Sequence, residues 1–217
     1  GEGRRASGGH ADHIPGLLGH GEGVTRLNTP TRLPSALGDE RAVSVSAGWA
    51  HSLALSADGA VWSWGGGADG KLGHGDRQRQ LLPKKVEALA GKRVLAVSAG
   101  AAHSLALTAD GAVWSWGMGS CGKLGHGDEQ DQLLPKKIEA LAGQRVVAVS
   151  AGPRHSLALT ADGSVWSWGN AAWGSLGHGD EQHRLLPKKV EAFAGQRVVA
   201  VSAGAHHSLA LTADGGV

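Results

Sequence analysis

The stretch Val149-Ser-Ala-Gly-Pro-Arg-His-Ser-Leu-Ala-Leu-Thr-Ala-Asp-Gly-Ser-Val-Trp-Ser-Trp-Gly169 decides how the chain is read. Two short apolar runs flank Ala161-Asp162-Gly163. Asp-Gly between such runs signals a tight hairpin, with both turn positions expected at positive φ. Upstream, Arg145 to Ser150 is β-branched and apolar, a strand by composition. Downstream, a glycine-rich loop from Gly169 to Asp180 leads into Leu185 to Ala192, which carries Pro187. A proline cannot donate to a ladder, so this fourth segment belongs at a sheet edge. The inner segments are apolar on both faces, as expected of strands sandwiched between neighbours.

The same phrases return along the chain at steps of 52 residues. His-Ser-Leu-Ala-Leu begins at His51, His103, His155 and His207, and Val-Trp-Ser-Trp-Gly at Val61, Val113 and Val165. Leu-Gly-His-Gly-Asp begins at Leu72, Leu124 and Leu176, and Leu-Leu-Pro-Lys-Lys at Leu81, Leu133 and Leu185. Residues 97–148 and 149–200 differ at 12 of 52 positions, so the chain is a tandem array. Four antiparallel strands in a unit of this length describe a propeller blade. The expected fold is therefore all-β, a partial β-propeller with complete units at 41–92, 93–144 and 145–196. Residues 17–40 read as the end of a preceding blade, with Thr29 to Leu37 holding its fourth strand, and 197–217 as a truncated unit. Residues 1–16, with Arg4-Arg5 among glycines, are expected to form a flexible tail. Blades that do not close leave apolar faces and strand edges open, so both ends are expected to meet further blades or another copy.

Composition fits this reading. Glycine supplies 36 of 217 residues, a proportion that by itself suggests low complexity. The glycines fall at seven to nine per 52-residue window, however, which makes them a regular supply of turns. A net charge of +2 from 21 basic and 19 acidic residues is no nucleic-acid footprint, so direct nucleic-acid contact is not expected. The single cysteine, Cys121, excludes an intrachain disulfide and a cysteine-based zinc site. No apolar run approaches the ~20 residues that span a bilayer, and Gly1 to Leu18 lacks the apolar stretch of a signal peptide. A chain without an initial Met reads as a processed or excised segment. Its expected setting is intracellular, cytoplasmic or nuclear.

The unit Val-Ser-Ala-Gly-x-x-His-Ser-Leu-Ala-Leu-Thr-Ala-Asp-Gly-x-Val-Trp-Ser-Trp-Gly, followed by Leu-Gly-His-Gly-Asp, resembles the regulator of chromosome condensation repeat, over roughly residues 17–217. Within that family, Gly122 to Leu141 is similar to the repeat domains of giant HECT-type ubiquitin ligases. The resemblance implies a ring of seven blades, of which this chain would supply about half. It also implies three functions to weigh: a protein-interaction scaffold, guanine-nucleotide exchange on a small GTPase, and UV-B sensing. The exchange activity of the family uses a wedge inserted in one blade, and the constant 52-residue spacing leaves no room for one. UV-B sensing in the family uses a Gly-Trp-Arg-His-Thr motif. Here the matching positions are Gly48-Trp49-Ala50-His51-Ser52, Gly100-Ala-Ala-His103, Gly152-Pro-Arg-His155 and Gly204-Ala-His-His207, so only Trp49 keeps the Trp and only Arg154 the Arg.

No residue set calls for catalysis, a cofactor or a metal. Gly65 to Leu72 nearly spells a phosphate-binding loop, but Leu72 follows Lys71 where Ser or Thr would hold magnesium, and the third copy has Ser175 in place of the lysine. The recurrent histidines lie in apolar strands or loops and read as hydrogen-bonded structural residues. Asp58, Asp110, Asp162 and Asp214 sit in hairpin turns, and Asp76, Asp128 and Asp180 are expected to cap loop amides. The paired lysines after each edge proline protect that edge from strand addition.

Positions that differ between units carry more information, because a scaffold is copied while a binding face diverges. Trp49, Arg77, Arg79, Arg154, Trp173, His183, Arg184 and His206 are the candidate partner-binding residues. The expected function is a non-catalytic protein–protein interaction scaffold, the recruiting module of a larger ubiquitin-ligase-like protein. A small GTPase or a ubiquitination substrate is the expected kind of partner. Nucleotide exchange and UV-B sensing stand as the alternatives.

Overall fold

A computed structural model describes residues 17–24, 26–33, 37 and 40–217. The expected tail at 1–16 and parts of the 29–37 segment lie outside the described residues. Fourteen strands follow: β1 (Ala42–Ala47), β2 (His51–Ser56), β3 (Val61–Gly65), β4 (Gln80–Lys85), β5 (Val94–Ala99), β6 (His103–Thr108), β7 (Val113–Gly117), β8 (Gln132–Lys137), β9 (Val146–Ala151), β10 (His155–Thr160), β11 (Val165–Gly169), β12 (Arg184–Lys189), β13 (Val198–Ala203) and β14 (Ser208–Thr212). They form three four-stranded antiparallel sheets in simple order, β1–β4, β5–β8 and β9–β12, and a two-stranded sheet of β13 and β14. These are propeller blades, and the ring they begin is not closed. Pro83, Pro135 and Pro187 lie in β4, β8 and β12, each an edge strand, where a missing N–H costs no ladder bond.

The core sits between the blades. Leu53, Leu55, Val61, Val86 and Leu89 of the first unit pack with Val94, Val97, Ala106 and Trp116 of the second. Leu105, Leu107, Ile138 and Leu141 pack in the same way with Val146, Ala158 and Trp168 of the third. Every side chain of β6 and β10 is buried for this reason, since each has a blade on both sides. The first strand of each blade donates from a backbone amide to the blade before it: Ala99 N to Ser46 Oγ, Ala151 N to Ser98 Oγ and Ala203 N to Ser150 Oγ, each 3.0 Å. At the open ends the same positions are bare. Val45 is 73% exposed, whereas its counterpart Val97 is 9% exposed.

One expectation needs correcting. The hairpin Ala161-Asp162-Gly163 places only Gly163 at positive φ (87°). Gly163 N donates to Thr160 O at 2.9 Å, the bond of a type I turn followed by a left-handed glycine. Asp162 stays right-handed because its carboxylate accepts from Ser164 N and from Thr160 Oγ1 across the turn. The fourth strand expected in Thr29 to Leu37 falls in part outside the described residues, and those described between 17 and 41 contain no strand. Loop bonds do reach from there into the first blade, with Gly21 N donating to Leu81 O at 3.1 Å, as Gly75 N does to Leu133 O at 3.0 Å between the complete units. Among the described residues no helix is long and apolar enough to cross a membrane.

Candidate interaction face

Alternating strand direction puts the turns between first and second strands at one end of every blade, and the Asp-Gly hairpins at the other. At the first end the four turns converge on a depression of about 1060 Å³. Its wall is built from Ala47 to Ala50, Ala99 to Ala102, Ala151 to Arg154 and Ala203 to His206. Small residues are required there because the blades nearly touch. A Cβ on Gly100 would fall 2.5 Å from Gly152 O and 2.6 Å from His103 Cε1. Only the two residues after each glycine are free to vary, and they place Trp49, Arg154 and His206 on the depression.

Beneath this wall runs a relay of side chains that joins the blades. His51 Nε2 lies 2.9 Å from Ser104 Oγ, and Ser104 Oγ donates to Lys71 O at 2.8 Å. His103, Ser156 and Lys123 repeat the pattern, as do His155, Ser208 and Ser175. The serine proton goes to the carbonyl, so the histidine is the donor and carries its proton on Nε2. Burial holds His51 down at about 3 and His155 at about 4, and pushes His103 well below the usual imidazole range. These histidines are neutral structural donors. The second set is anchored likewise: His74, His126 and His178 contact Ser63, Ser115 and Ser167, whose hydroxyls donate to Leu72 O, Leu124 O and Leu176 O. Asp76, Asp128 and Asp180 accept from Gln78 N, Gln130 N and Gln182 N, the expected amide caps.

The eight candidate residues separate into two groups. Trp49 (85% exposed), Arg154 and His206 share the depression. Trp173 lies outside the lining but touches this group across a blade boundary, its ring edge-on to His206 at a centroid distance of 4.4 Å. Trp173 also holds a positive φ of 57°, a strained position for an aromatic residue and one of three such non-glycine positions among the described residues, with Asp69 and Cys121 at the equivalent sites. The other four lie outside the depression. Arg77 pairs with Asp131 of the next blade at 3.0 Å, and Arg79 is exposed without a partner among the described residues. His183 Nδ1 accepts from Ala171 N at 3.2 Å, and Arg184 binds Asp180 within its own loop, so both hold the third glycine-rich loop in shape.

Two residues of the depression escape a reading based on divergence alone. Lys71 and Lys123 line it, yet are only 6% and 3% exposed. Their carbonyls serve the blade relay. Their ammonium groups take no part in it. Lys123 Nζ donates to Ser120 Oγ at 2.7 Å, and Lys71 Nζ has no hydrogen-bond partner among the described residues. The signal was present in the sequence as Lys71, Lys123 and Ser175 at equivalent positions.

Comparison with known proteins follows the same lines. A family model described as RCC1-like domain matches residues 3–217. The human E3 ubiquitin-protein ligase HERC2 is 45% identical over 205 residues, which cover 93% of this chain and 4% of that protein. The ultraviolet-B receptor UVR8 of Arabidopsis thaliana is 38% identical over 200 residues, covering 92% of this chain and 45% of the receptor. Among solved structures, Prp20p from Saccharomyces cerevisiae superposes with a TM-score of 0.78 at 28% identity, over 93% of this chain and 50% of that one. Human WBSCR16 superposes with a TM-score of 0.81 at 27% identity, over 92% and 53%. The chain thus spans less than half the length of each of these two sequence relatives.

Proposed function

Because this chain belongs to the RCC1-like domain family, we propose that it is a non-catalytic protein-interaction module whose partner meets the depression at the blade axis. One observation carries this reading: the variable residues Trp49, Arg154 and His206, far apart in sequence, line one concave face built on repeated turns, and Trp173 abuts it through His206. An exposed indole beside an arginine is the composition of an interface hot spot. Human HERC2 and the other ligase relatives support the finer reading, a recruiting module within a larger ubiquitin-ligase-like protein in the cytoplasm or nucleus.

Prp20p is described by its binding properties to Gsp1p and histones, which supports a protein as the kind of partner. The loops joining third to fourth strands have equal lengths in all three complete units, 66–79, 118–131 and 170–183, leaving no inserted wedge for nucleotide exchange among the described residues. The test is an exchange assay against a panel of small GTPases, run beside partner binding by the wild type and by a Trp49→Ala, Arg154→Ala, His206→Ala variant. The proposal expects no acceleration of nucleotide release and a loss of partner binding in the variant. Accelerated release, or binding untouched by the triple substitution, overturns it.

A further inference from the structure

Lys71 and Lys123 present a contradiction that the fold does not resolve. Each side chain is almost wholly covered along its length, yet the Lys71 ammonium has no hydrogen-bond partner among the described residues and keeps some contact with solvent. The fold has no need of either side chain. Ser175 holds the third copy of the position in the same right-handed backbone conformation, with φ −57° and ψ −20° against −61° and −10° for Lys71. Ser175 O accepts from Ser208 Oγ at 2.7 Å just as Lys71 O accepts from Ser104 Oγ at 2.8 Å. A serine therefore satisfies everything that the blade relay asks of this residue.

The two ammonium groups also do not stand alone. Arg154, from the third blade, lines the same depression and opposes the charge of Lys123, and Asp69 is the only acidic residue on the wall. Three cations against one carboxylate leave a positive floor in a pocket whose remaining lining is mostly Ala and Gly, with Trp49, Met118 and Pro153 and the polar Ser120, Cys121, Asn170 and His206. Burial pushes both lysines below their ordinary range, with Asp69 opposing that shift. A further negative group in the depression would relieve that desolvation directly.

We propose that Lys71, Lys123 and Arg154 form a carboxylate seat that receives an acidic segment of the partner protein. The inference rests on the reading of the depression as the interaction face and names the chemistry that face selects. A free inorganic anion shares the charge but not the size: the depression, at about 1060 Å³, accommodates several residues of an extended peptide, with Trp49 and Met118 for its apolar side chains.

The test uses the intact chain and a fluorescein-labelled probe peptide, Gly-Glu-Asp-Leu-Glu-Asp-Gly, with three comparators: the same peptide with Gln and Asn for its acids, the same peptide with Lys for its acids, and inorganic phosphate as a competitor. The variant Lys71→Ser with Lys123→Ser copies the third unit and is expected to fold with unchanged or higher Tm. The proposal expects the acidic probe to bind the wild type, salt to weaken that binding, and the double serine variant to bind roughly tenfold or more weakly. The Gln/Asn peptide should bind weakly and equally to both proteins, and phosphate should compete poorly. If both acidic and neutral peptides bind the depression with no loss in the serine variant, the carboxylate seat is wrong while the interaction face stands. If phosphate displaces the probe as effectively as unlabelled peptide, the site is a small-anion site and the proposal falls. If no peptide binds and the variant behaves as the wild type, the seat and the face reading fail together.

Discussion

His51 and Ser104, 53 residues apart in sequence, meet side chain to side chain at 2.9 Å across the boundary between two consecutive blades. The contact recurs as His103–Ser156 and His155–Ser208, and each serine hydroxyl donates in turn to a carbonyl of the earlier blade's loop. The repeat unit is thus tied by a buried polar bridge as well as by apolar packing. Removing one member leaves a buried group unpaired, which costs more than the bond itself contributes.

Ser104→Ala strips His51 of its acceptor and should destabilise the chain by about 2 kcal/mol. The control is Ser52→Ala, at the same position in the first unit, where the hydroxyl has no hydrogen-bond partner among the described residues; this change should stay within about 0.5 kcal/mol. Urea unfolding of the two variants decides the point, and equal effects would contradict the bridge.

Gly100→Ala tests how closely the blades approach. The added methyl group would press on Gly152 O at 2.5 Å and on the buried His103 ring, and neither is a flexible side-chain end. A loss of about 3 kcal/mol or more is expected, with misfolding as its extreme. Gly91→Ala serves as the comparison. Gly91 has a positive φ of 75° but open space around it, so only the backbone cost of about 1 kcal/mol applies. Thermal melts should rank the two in that order.

Acid should weaken the fold well above the carboxylate range. His51 sits at about 3 and His155 at about 4 in the folded chain, His103 is lowered as well, and burial is the leading cause in all three. The unfolded chain therefore binds these protons first. The stabilisation is complete above the unfolded histidine value near 6.5 and is lost as pH falls from there toward the folded values. Each of the three buried imidazoles contributes a slope of up to ~1.4 kcal/mol per pH unit in that window. Denaturant midpoints should stay level above about pH 7 and fall from there to pH 5, and a profile flat throughout would contradict neutral, buried histidines.

Trp173→Gly separates fold from function. It relieves an aromatic residue held at φ 57° and removes the edge contact with His206. Stability should rise by up to about 1 kcal/mol while partner binding weakens. A variant that loses stability would show that the Trp173–His206 contact supports the fold.

Much of this architecture was legible in the sequence. The 52-residue period, the β-branched runs and the edge prolines announce four strands and their order, because hydrophobic patterning and proline act locally. Asp162 was legible as a turn residue but not in its conformation, since the bond from Thr160 Oγ1 that keeps it right-handed depends on how the hairpin closes. Of the candidate site, Trp49, Arg154 and His206 stood out as departures from an invariant frame. Lys71 and Lys123 did not, because they resemble a failed phosphate loop until the depression reveals that they are buried with no structural duty. His183 and Arg184 diverge for a local reason, to hold the one glycine-rich loop that carries Trp173. Divergence between units thus marks both a binding surface and the repairs it demands nearby.

The central claim, that a partner docks in the depression at the blade axis, is tested most directly by selecting binders from a random peptide library on the intact chain. The selected peptides are then measured against two variants of equal stability: Trp49→Ala with Arg154→Ala and His206→Ala in the depression, and Arg93→Ala at the opposite, hairpin end of the blades. The account predicts that most selected peptides lose binding to the first variant and keep it with the second. Peptides that ignore the depression and depend on the hairpin end would contradict it.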